Sequence, residues 1–136
     1  MNAGIERLEG ELLRMKPVDI RYEHHFAPGV YLRYMDAPAG TFIIGHEHKN
    51  ECVNILLSGS IRVMINGVQR DLVAPFNFIS AAGIRKVALT LTDVRWLNVF
   101  ITNETDVEKL EELLIVKSTA FLDHEAEMKR LEEKCP

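Results

Sequence analysis

Gly40-Thr-Phe42-Ile-Ile44-Gly-His46-Glu-His48-Lys-Asn-Glu51-Cys52, running on through Val53-Asn54-Ile-Leu-Leu-Ser to Gly59, decides how this chain is read. A glycine turn leads into a short strand that ends in His-x-His, and a second strand closes on another glycine. On an extended strand, side chains two apart share a face. His46 and His48 are therefore expected to aim their imidazoles into one space, which is what a metal ion or an anionic ligand requires. By the same alternation Phe42 and Ile44 would supply apolar wall beside His46, and Asn54 would point inward with Cys52.

The spacing of Gly, five residues, His-x-His, three residues, a ligand position, six residues, Gly resembles the first motif of the cupin family. That resemblance implies a mainly β fold, a double-stranded β-helix or jelly roll. The family's ligating glutamate falls on Cys52, and Glu51 stands one place early, facing the other way on a strand. The second family motif, Pro-x-Gly-x-x-His, has its counterpart in Ala81-Ala82-Gly83-Ile84-Arg85-Lys86, where only the glycine survives and Lys86 replaces the third histidine. The resemblance covers about residues 30 to 102.

Outward from this segment, Val30 to Tyr34 reads as a strand and Asp36 to Gly40 as a turn. Ile61 to Ile65 and Val68 to Val73 flank Asn66-Gly67, the dipeptide favoured in two-residue hairpins. Val87 to Leu91 and Val94 to Ile101 complete the strands of a body spanning about 18–102. Ile5, Leu8, Leu12 and Met15 recur at helical spacing and predict a helix over 3–16, stopped by Pro17. Thr105-Asp-Val-Glu108 reads as a capping box opening a helical tail over 104–135. In that tail Val107, Leu110 and Leu114 mark one helix, and Phe121, His124, Met128, Leu131 and Cys135 a second. The expected organisation is one jelly-roll domain, 1–136, with a helix before the barrel and helices after it.

The 136 residues are 47% hydrophobic and 26% charged, ordinary for a globular protein with one core. Net charge is −4, of which the stretch from Glu104 onward carries −5, leaving the body close to neutral. No basic stripe suits a phosphate backbone, so nucleic acid is not an expected partner. The first residues lack a signal-peptide core and no apolar run reaches bilayer length, so no membrane is expected. Two distant cysteines, Cys52 and Cys135, fit a reduced, cytoplasmic setting. The apolar helix stripes and the outer sheet face of a jelly roll point to a homodimer.

The site candidates are His46, His48, Cys52, Asn54, Lys86, Phe42 and Trp96. Two imidazoles and a thiolate would make an open zinc-type set, so His46, His48 and Cys52 are the ligands if a divalent metal (Zn, Fe, Ni or Mn) is held. An ammonium at Lys86 would repel that ion, and the usual carboxylate is gone, so the interior is expected to work without a metal. A polar, cationic interior with an apolar wall suits a small anionic or polar metabolite such as a nucleotide, sugar phosphate or organic acid. The expectation is thus a small-molecule-binding protein rather than a catalyst. The alternative is a metal-dependent enzyme of dioxygenase, isomerase or lyase type. A third reading, resembling the metal-free sugar-nucleotide epimerases of the same superfamily, would use His46 or His48 as base and Tyr31 or Tyr34 as acid. Trp96 is more often a core residue than a stacking platform, and His24-His25, being adjacent, are expected at the surface.

Overall fold

The structure, a computed structural model, describes residues 2–15 and 18–134. They form two compact units, a β body over 18–116 and a helical unit from the two chain ends. The body has eleven strands: β1 (Arg21–Ala27), β2 (Val30–Ala37), β3 (Phe42–Ile44), β4 (Glu47–His48), β5 (Cys52–Ser58), β6 (Ser60–Ile65), β7 (Val68–Val73), β8 (Phe76–Ser80), β9 (Lys86–Thr90), β10 (Val94–Ile101) and β11 (Ile115–Val116). A short helix, α2 (Val107–Leu114), precedes β11. In the helical unit α1 (Asn2–Leu13) packs on α3 (Thr119–Lys134), and the Ser118 hydroxyl donates to the buried carboxylate of Glu9.

All pairing is antiparallel. One sheet runs β1-β2-β10-β5-β8, another β3-β9-β6-β7, and β4 pairs with β11. Asn66 and Gly67 both take positive φ (53° and 79°), as the tight β6–β7 hairpin demands. Gly59 also has positive φ, and a Cβ there would collide with the carbonyl oxygen of Asp93.

Alternation along the paired strands sorts the inner face of the five-stranded sheet into rows. Met35, Trp96 and Leu56 align across β2, β10 and β5, with Phe76 beside them on β8. Arg33, Asn98 and Asn54 form the next row, flanked by His24 on β1 and Phe78 on β8. The first row belongs to the main core, where Ala37, Leu56, Val94 and Trp96 meet Ile61, Val63 and Leu72 of the other sheet. A second cluster, Tyr31, Cys52, Phe100 and Leu110, lies on the far side of the polar row. Hydrophobic burial thus brackets a polar belt on both sides, and that belt is where the site is built.

Several expectations shift. The predicted 3–16 helix ends at Leu13, leaving Met15 exposed; Lys16, Pro17 and Cys135 lie outside the described residues. The N-cap of α2 is Asp106, whose carboxylate accepts from the amides of Glu108 and Lys109, one residue later than the predicted box. Strands β1, β4, β8 and β11 were not individually expected.

Candidate functional site

The His-x-His segment is strapped to the segment that carries Lys86. The Gly45 amide donates to the Lys86 carbonyl (2.9 Å), Arg85 Nε donates to the Gly45 carbonyl (2.9 Å), and the Gly83 amide donates to the His48 carbonyl (2.9 Å). From the other side β11 pairs with β4, setting Ile115 opposite His48. His48 is buried, packs obliquely against the Phe100 ring, and its Nδ1 has no hydrogen-bond partner among the described residues. His46 is half-buried and near enough for its charge to act on His48.

Cys52, Asn54, Ser80, Lys86 and Asn98 form one hydrogen-bonded chain. Asn98 Nδ2 donates to Asn54 Oδ1 (2.7 Å) and approaches Cys52 Sγ (3.3 Å). Asn54 Nδ2 donates to Ser80 Oγ (3.1 Å), and Lys86 Nζ donates to the same hydroxyl (3.2 Å). Asn54 is fully enclosed, so these bonds replace the water it lost. Lys86 is opposite Ile65, on the face of the four-stranded sheet that carries Val63 and Ile61, so its stem lies inward.

Arg33 joins from the opposite sheet. It is aligned with Asn98 on one side and His24 on the other, its guanidinium lies 4.7 Å from the centre of the Tyr22 ring, and it meets no carboxylate among the described residues. Its charge and that of Lys86 both bear on His48 and on Cys52. Burial, aided by Lys86, Arg33 and His46, pushes His48 down to about 4, so the ring is neutral at ordinary pH. Burial raises the Cys52 thiol despite the nearby cations, and burial lowers Lys86. Beside Arg33, His24 Nδ1 and the Tyr31 hydroxyl share a 2.6 Å hydrogen bond, and stacked rings run from Phe26 through Tyr31 to Phe100.

Of the sequence candidates, Cys52, Asn54 and Lys86 share the hydrogen-bonded chain, His48 is within reach of the Lys86 charge, and His46 is tied to them only through its charge on His48. Phe42 does not: it is 40% exposed and pairs with Leu89, whose neighbour Arg62 is ion-paired to Asp71 on the outer face. Strand β3 stops at Ile44, so alternation does not carry from Phe42 through Gly45 to His46. Ile43, not Ile44, packs on the core. Trp96 is on the inner face but one row into the apolar core, edge-on to Phe78. His24 and His25 are both exposed, as expected; His25 bonds Glu23, and His24 shares its hydrogen bond with Tyr31. Arg33 and Ser80 were missed. On β2 polar and apolar residues occur on both faces, so only strand register, which the sequence does not display, identifies Arg33 as inward.

The fold family implies a metal, but the donors here do not fit one. Burial raises the Cys52 thiol, which accepts from Asn98, Lys86 brings an amine to the same group, and no carboxylate among the described residues joins them. Among the described residues no group of three His, Cys, Asp or Glu side chains is placed to hold an ion.

No protein-family model matches the sequence, and no curated protein does. Solved structures do resemble it. KdgF from Halomonas sp. superposes with a TM-score of 0.56 at 15% identity, over 68% of this chain and 88% of that one. A cupin superfamily protein from Desulfitobacterium hafniense gives 0.55 at 12%, over 68% and 85%. A salicylate 1,2-dioxygenase from Pseudaminobacter salicylatoxidans gives 0.60 at 14%; it matches 81% of this chain, which spans 35% of the dioxygenase. At such identities the likeness speaks to architecture alone. Jelly-roll sheets, the histidine-bearing turn and these neighbours agree: the chain has the cupin fold.

Proposed function

We propose that this protein binds a small organic anion between its two sheets, without a metal. One observation carries the reading. Arg33 and Lys86, one from each sheet, both act electrostatically on His48 and Cys52, and neither meets a carboxylate among the described residues. Both side chains are half-buried, and a partly desolvated positive group without counter-charge is costly, so an anion supplies what they lack. Arginine offers a planar fork for a carboxylate or phosphate, lysine a point charge. Neutral His48, with its unengaged Nδ1, adds a site that can accept from a ligand hydroxyl. The buried, free thiol of Cys52 suits a reducing, cytoplasmic compartment.

The test is a thermal-shift screen of nucleotides, sugar phosphates and organic acids on wild type, Arg33→Leu and Lys86→Met, with elemental analysis of protein purified without added metal. At least one anion class should raise the wild-type melting temperature by several degrees, and each variant should lose about tenfold in affinity, the worth of one charge-assisted contact. A panel with no effect on wild type, or stoichiometric metal lost in His48→Ala, sinks the reading.

We further propose a homodimer through the outer face of the five-stranded sheet. There Val53, Leu57, Ile79 and Ile101 are exposed, Ile101 at 90%, and alternation puts all four opposite the site-bearing face. Light scattering on a sizing column should give twice the chain mass, and Ile101→Lys with Leu57→Lys should halve it. A wild-type monomer at micromolar concentration rejects this interface.

A further inference from the structure

Lys86 offers chemistry that simple ion pairing leaves idle. It stands at the first position of β9 with its amine inside the body, bonded to Ser80 Oγ at 3.2 Å and facing no carboxylate among the described residues. Around it are the Cys52 thiol, the His48 imidazole and the Asn54–Asn98 amide pair, none of which neutralises an ammonium. Loss of water is the main influence on the amine and eases release of its proton, which frees a lone pair for attack, while the protonated form still pairs with an incoming anion. Other lysines are placed differently: Lys49 is bonded to the Glu112 carbonyl at the surface, and Lys117 is ion-paired with Glu125. Arg33, on the facing sheet, offers a planar fork that can hold a carboxylate while the amine reacts.

We propose that Lys86 is a covalent capture site, its Nζ condensing with the carbonyl of a small 2-oxo acid whose carboxylate is held by Arg33. This rests on the anion-binding reading and names the class of anion. The nitrogen lone pair forms a bond to the carbonyl carbon while the C=O π pair moves onto oxygen. The resulting carbinolamine loses that oxygen together with the two amine hydrogens as one water molecule. A C=N bond to Lys86 remains, with no oxidant or reductant consumed. Hydrolysis reverses the step, so the adduct is a reversible store of the oxo acid.

Full-length protein incubated with pyruvate, glyoxylate or 2-oxoglutarate and cyanoborohydride reports the adduct as a stable secondary amine. Intact mass should rise by one reduced adduct per chain, and peptide mapping should place it on Lys86. Lys86→Arg, which keeps the cation but cannot form an imine, should abolish the adduct, and Lys86→Gln serves if circular dichroism finds the arginine variant misfolded. Arg33→Leu should raise the oxo-acid concentration for half-maximal trapping about tenfold. No adduct on Lys86 with any of the three acids, or adducts scattered over exposed lysines, overturns the covalent step. Melting temperatures in the same acids and in lactate, which has no carbonyl, then separate the two claims. A retained shift leaves anion binding standing, and no shift from any anion removes both.

Discussion

The Ser80 hydroxyl accepts from both Asn54 and Lys86, which leaves its own hydrogen for the Cys52 carbonyl 3.5 Å away. Every polar atom in this chain of side chains thereby constrains the next, so Lys86 is held by the same bonds that satisfy a fully enclosed asparagine. His48 lacks such provision, and its burial has a consequence for acid stability. The unfolded chain binds a proton at His48 near pH 6.5, the folded one only near 4. Between those values the unfolded state carries the extra proton, so stability falls as pH falls through that window, by about 3 kcal/mol when complete. Urea midpoints from pH 7 down to about 4 should therefore drop more steeply for wild type than for His48→Gln. Equal slopes would mean that His48 is not the neutral, enclosed group described here. At this scale part of the candidate site could be read locally: glycine-framed spacing pointed to His46, His48 and Cys52, parity with Cys52 to Asn54, and the motif offset to Lys86. Arg33 was hidden because its inward direction depends on pairing with Asn98, a contact between residues 65 positions apart. Phe42 misled because a strand that ends at Ile44 cannot transmit alternation to His46.

Among the elements, α2 shows how a modest sequence signal closes one side of the body. Asp106 caps the helix and Leu110, 2% exposed, packs with Tyr31, Cys52 and Phe100, with Leu114 beside them. The following β11 then pairs with β4 and fixes the strand that carries His48. Leu110→Ala should cost about 2–5 kcal/mol by the loss of buried methyl groups and the cavity left behind. It should also weaken anion binding, because the β4–β11 pair depends on where α2 sits. A stability loss below about 1 kcal/mol in chemical denaturation would show the contact to be loose. The β6–β7 hairpin and β10 were readable because turn chemistry and alternation are local. Two-residue β4 and β11 carry no period at all, and exposed β1 takes its place only through pairing with β2.

Across the whole molecule, the chain surrounds a cationic polar belt with apolar layers instead of running one hydrophobic core from end to end. The fold was legible because a jelly roll is written in short strands, punctuating glycines and one hairpin, all local signals. What such a belt would bind was not, since ligand class depends on which charges from opposite sheets end up facing each other. The central claim is that Arg33 and Lys86 together make an anion site, and it is tested most directly by anomalous diffraction from crystals soaked in bromide. A bromide peak inside the body, within hydrogen-bonding reach of Lys86 Nζ or the Arg33 guanidinium and absent in the Arg33→Leu, Lys86→Met double variant, is the predicted result. Bromide found only on the outer surface, with the space between those two side chains bare, would contradict it.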